Sequence, residues 1–87
     1  MTRPFVEQAA GLAAVAQILA EQHLSCLLVF PPAEEDVIHL FVMHHLKTEV
    51  VYAVNGYDIW IDERLVAPNV SAEIAAGYLM QAGRSLA

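Results

Sequence analysis

The chain has 87 residues, 57% of them hydrophobic, and its 10 acidic residues against 4 basic ones leave a formal net charge of −6. That balance excludes a nucleic-acid backbone or an anionic membrane as direct ligand, because both demand a basic footprint. Cys26 is the only cysteine, which excludes an intrachain disulfide framework, and no apolar run reaches the ~20 residues that cross a bilayer.

A chain this short makes one domain, residues 1–87, and buries only about 60% of the surface that it exposes when unfolded. Its hydrophobic content exceeds the usual range of about 45–50%, so the core is dense, or some apolar surface meets a partner, or both. The N-terminal stretch imitates a secretion signal, with Arg3 ahead of the alanine-rich residues 9–20. Pro4, Glu7, Gln8 and Gln17 interrupt that pattern, and a cytoplasmic protein is expected.

On a helical wheel, residues 5–23 place Phe5, Ala9, Leu12, Ala13, Ala16, Leu19, Ala20 and His23 on one side. Glu7, Gln8, Gly11, Gln17, Glu21 and Gln22 fall on the other. The expected helix starts near residues 2–4, where Thr2 caps and Pro4 occupies the first turn. Residues 24–30 read as a buried strand closed by Pro31-Pro32, with Cys26 an inert thiol inside it. Glu34, Glu35 and Asp36 form a solvated acidic loop. Residues 37–44 are apolar on both parities, the pattern of a central strand covered on both faces.

Residues 50–54 and 57–61, separated by Asn55-Gly56, read as a hairpin with a two-residue type I′ turn. That turn sets Val54 opposite Tyr57, Tyr52 opposite Ile59 and Val50 opposite Ile61 on one apolar face. Ala53 then pairs with Asp58, Val51 with Trp60 and Glu49 with Asp62 on the reverse. Asp62, Glu63 and Arg64 turn the chain, and residues 65–67 add at most a short strand before Pro68. A last helix spans about residues 71–84, capped by Asn69 or Ser71, with Ile74, Ala75, Tyr78, Leu79 and Ala82 as its apolar stripe.

The expected fold is therefore α+β in two layers: an N-terminal helix, a four-stranded antiparallel meander and a C-terminal helix. If both helices cover the Val50 face, Trp60, Val51 and Ala53 form an exposed apolar patch of the kind that marks interaction sites. One helix on each face would bury them instead.

Catalytic patterns are missing. The serines lie outside any nucleophile elbow, the glycines form no phosphate loop, and no carboxylate pair sits alone in an apolar run. His39, His44 and His45 share a strand region, but adjacent strand residues point to opposite faces, and His39 and His45 lie about 20 Å apart along a strand. A metal or small-molecule site would need a turn that gathers His44 or His45 with Glu49 and Asp62.

The acidic residues divide into two groups. Glu49, Asp62 and Glu63 have Lys47, Arg64 and the histidines as candidate partners close by, whereas Glu34, Glu35, Asp36 and Asp58 have no basic neighbour. An uncompensated acidic edge attracts a basic surface, and Trp60, the single tryptophan, is a residue type that anchors interfaces. The sequence thus points to a non-enzymatic protein-binding module without a cofactor, such as an inhibitor or adaptor. One form is a phage- or mobile-element-type inhibitor that masks a basic nucleic-acid-binding surface on a host protein. Its expected contact residues are Trp60, Val51, Asp58, Glu34, Glu35 and Asp36. The alternatives are a homodimeric accessory protein and the histidine–carboxylate site above.

Overall fold

Two helices lie across one face of a five-stranded antiparallel sheet in a computed structural model that describes residues 2–32 and 35–84. The order is α1 (Phe5–Glu21), β1 (Cys26–Val29), β2 (His39–Val42), β3 (His45–Val51), β4 (Tyr57–Ile61), β5 (Arg64–Val70) and α2 (Ala72–Arg84). The strands run in sequence order as a meander from β1 to β5. The two-layer α+β arrangement is as the sequence predicts, with one strand more. Residues 64–70 form a full edge strand that accommodates Pro68, because an edge residue has no partner on its outer side.

One core cluster joins the layers. Leu12, Val15 and Leu19 of α1 and Ala75, Ala76 and Leu79 of α2 pack on Leu40, Val42, Val50 and Ile59. These strand residues alternate along β2, β3 and β4, so they share a face. Among the described residues, no helix covers the opposite face. β2 differs from expectation here: it is second in the sheet, β3 is central, and only the Leu40 and Val42 side of β2 meets the helices.

Helix α1 is rotated relative to the face its hydrophobicity predicts. Gln8, Leu12, Val15 and Leu19 are its buried residues, while Phe5, Ala13 and Ala20 face solvent. Burying Gln8 is tolerated because all of its hydrogen-bonding capacity toward the backbone is used. Its Nε2 donates to the carbonyls of Arg3 and Asp36, both at 2.7 Å, and its Oε1 accepts from the Ile38 N–H at 2.9 Å. One amide thus fixes the N-terminal segment and the β1–β2 connection to α1. Pro4, not Thr2, holds the N-cap position, and no side chain caps this helix. In α2 the cap is Ser71, whose Oγ accepts from the Ile74 N–H at 3.3 Å. Ile74 itself is exposed.

The β3–β4 hairpin forms, but not through a tight Asn-Gly turn. Val50 pairs with Ile59 and Glu49 with Trp60, a slip of two residues from the expected register, and residues 52–56 form a longer loop. Neither Asn55 nor Gly56 has the positive φ that a type I′ turn requires. Tertiary contacts override the local signal. The Arg3 N–H donates to the Ala53 carbonyl at 2.7 Å, and the Arg3 guanidinium lies 4.2 Å from the centre of the Tyr52 ring. Tyr52 stacks on Tyr57 at 4.4 Å, and the Tyr57 hydroxyl donates to the Gly11 carbonyl at 2.8 Å. Tyr52 therefore packs toward α1 instead of extending the ladder. The left-handed two-residue turn sits at Asp62 (φ 50°) and Glu63 (φ 67°), where Ile61 pairs with Arg64.

Candidate functional site

The uncovered sheet face is built by alternation. Leu40, Val50 and Ile59 point into the core, so His39 and Phe41, Glu49 and Val51, and Asp58 and Trp60 point outward. Register then sets the neighbours: Glu49 lies directly across from Trp60, Val51 from Asp58, and Trp60 from Leu65 on its other side. The sequence reading paired Trp60 with Val51 and Asp58 with Ala53. The two-residue slip changes those partners but leaves every one of these residues on its predicted face, because the side-chain period of a strand is two.

Over this face runs an open groove of about 590 Å³. Val51 and Ala53, only 5% and 7% exposed, make its floor together with Trp60. Glu35, Asp36 and Val37 of the β1–β2 connection also line it, and Asp58, Glu49 and Glu63 add to its acidic lining. Of the contact residues expected from the sequence, Trp60, Val51, Asp58, Glu35 and Asp36 all line this groove. Glu34 lies outside the described residues. A second hollow, between Phe41, Leu46, Lys47 and Asp62, shares Glu49 and Glu63 with the first, so the depression continues across the sheet.

Among the described residues, no lysine or arginine lines the first groove, and His39 is its one basic side chain. His39 Nδ1, screened from solvent, reaches Glu49 Oε2 at 2.9 Å without hydrogen-bond alignment. The two side chains are 27% and 23% exposed. Among the described residues this is the one contact of ion-pair type, so of the expected partners a histidine meets Glu49, while Lys47 shares a hollow with Glu49, Asp62 and Glu63 without pairing with them. Asp58 Oδ1 accepts from the Asn69 N–H at 2.8 Å. That bond fixes the carboxylate at the groove wall and leaves its second oxygen available.

His39 and Glu63 are groove residues that sequence reasoning missed. The parity of His39 relative to Leu40 was the available signal for its face. Its contact with Glu49 was not readable, because residues 46–49 of β3 are set against Phe41 alone in an irregular register. His44 and His45 do not enter the groove. His44 takes φ 70° in the β2–β3 turn, and His45 Nε2 lies 3.4 Å from the Thr48 hydroxyl. Among the described residues, no three His, Cys, Asp or Glu side chains gather as a metal-binding group.

Two other titratable groups are shifted. Burial pushes the Cys26 thiol up from its ordinary value, which keeps it protonated and weakly nucleophilic near neutrality. Burial, with Tyr52 alongside, raises Tyr57, and the Arg3 charge opposes this. Neither group lines the groove, and no Ser, Thr or Cys does. The arrangement offers an apolar floor, a flat indole and a row of carboxylates, which together suit a cation carried on an apolar stem. Among the described residues, no helix is long and apolar enough to cross a membrane. The chain matches no family model, no curated protein and no solved structure.

Proposed function

We propose that this chain is a non-enzymatic, cytoplasmic protein-binding module, an inhibitor or adaptor, that receives a basic surface of a protein partner in the groove over Trp60. One observation carries the reading: the sheet face that both helices leave uncovered holds an apolar floor bordered by carboxylates, with no lysine or arginine among them. Apolar area at the centre supplies affinity, and like-signed charge at the border supplies steering and selectivity. A partner that itself binds nucleic acid presents the complementary basic patch, and covering that patch would inhibit it. Self-association through the same face is disfavoured, since each copy brings a formal net charge of −6 and the same acidic border.

Trp60 is the only tryptophan, so its emission reports on this groove directly. Adding poly-L-arginine is expected to shift that emission, and raising salt to about 0.5 M is expected to abolish the shift by screening. Changing Glu35, Asp36 and Glu63 together to their amides is expected to weaken binding about tenfold or more. Unaltered emission with poly-L-arginine at low salt would remove the proposal.

A further inference from the structure

Resting on that reading of the groove, we infer that its occupant is an extended basic segment whose cationic side chains alternate, one on every second residue. The register supplies the spacing. Glu49 stands directly opposite Trp60, and Val51 directly opposite Asp58, on the same open face. Glu49 and Asp58 are therefore diagonal neighbours across adjacent antiparallel strands, a relation that separates residues by about 7–8 Å. An extended chain places residues i and i+2 about 7 Å apart and on one side, while residue i+1 points away. A segment with arginine or lysine at i and i+2 thus sets one cation at each carboxylate, its stems running over Trp60 and Val51. Two adjacent basic residues present only one cation to the face.

Each carboxylate is held for this role. Glu49 is less than a quarter exposed and lies 2.9 Å from His39 Nδ1, while Asp58 is anchored by the Asn69 N–H through one oxygen. The indole beside both offers a face for a guanidinium, an arrangement that favours arginine over lysine. A second copy of this chain does not supply the segment: its lysines and arginines are Arg3, Lys47, Arg64 and Arg84, and no two of them lie two apart.

The test uses two fluorescein-labelled peptides of identical composition, one with arginine and valine strictly alternating and one with arginines and valines in pairs. Fluorescence anisotropy is expected to show the alternating peptide binding about tenfold tighter to the full chain, since only it engages both carboxylates at once. Glu49→Gln and Asp58→Asn should each erase most of that preference, with unchanged circular dichroism. The amide oxygen of Asp58→Asn still accepts from Asn69, so the fold is retained. Equal affinity for the two peptides overturns the spacing inference while the groove reading stands. If neither peptide binds at low salt, both fail. A preference that survives both substitutions also overturns the inference, because the spacing would then be read elsewhere.

Discussion

Replacing Gln8 by alanine is expected to destabilise the protein by about 2–4 kcal/mol, measured by urea unfolding. The side chain is fully buried and bonds three backbone groups: the Arg3 and Asp36 carbonyls and the Ile38 N–H. Its removal leaves the Ile38 N–H, in a fully buried residue, without its partner, and such a group costs about 1–3 kcal/mol by itself. Small domains hold only about 5–15 kcal/mol in total, so the loss is a large share. Gln8→Glu separates the contributions. A carboxylate still accepts from Ile38 but donates nothing to the two carbonyls and places a charge against them, so it should be at least as damaging as alanine. Because Asp36 borders the groove, loss of this amide should also weaken capture of a basic peptide at temperatures where the fold survives. A Gln8→Ala protein as stable as the parent would mean that the three bonds contribute nothing.

The second large effect is expected at Gly11. A Cβ there would collide with the Tyr52 ring, and that ring has little freedom to yield. It is stacked on Tyr57 on one side and covered by the Arg3 guanidinium, while the Tyr57 hydroxyl holds the Gly11 carbonyl. Overpacking of this kind costs about 1–3 kcal/mol or more, against a gain of about 1 kcal/mol from alanine's helix propensity. The expected net effect of Gly11→Ala is a loss of about 2 kcal/mol, seen as a lower urea midpoint with an unchanged slope. Gly77, in the middle of α2, is the control. Beyond its chain neighbours and the backbone of its own helix, no atom lies within 4 Å of a Cβ built there, so Gly77→Ala should stabilise by about 0.5–1 kcal/mol. Opposite signs for one chemical change at two helix glycines would show that the Tyr52 contact, not helix propensity, decides the outcome.

Why the residues of this face were legible while its openness and its details were not follows from what each feature depends on. Which residues share a face is set by strand parity alone. The hairpin slipped by two, an even number, so Val51, Asp58 and Trp60 kept their side although each changed its partner. The turn itself was misplaced, because an Asn-Gly pair specifies a tight hairpin only when nothing else competes. Here Arg3, about fifty residues away in sequence, takes the Ala53 carbonyl and stacks on Tyr52. Gly56 is needed for room instead of for a left-handed backbone, since a Cβ there would meet Asn69. The rotation of α1 has a similar origin. A hydrophobicity wheel places Gln8 outside, and only its three hydrogen bonds, two of them long-range, make its burial favourable. Contacts of this kind join residues far apart in the chain and leave no periodic trace.

The most direct test of the central claim is a proton–nitrogen correlation spectrum recorded while the alternating arginine–valine peptide is added at low salt. The expected result is movement of the Trp60 indole signal and of the Glu49, Val51 and Asp58 amides, with α1 and α2 undisturbed. Shifts confined to α1 and α2, or no shifts at all, would contradict the assignment of function to the uncovered sheet face.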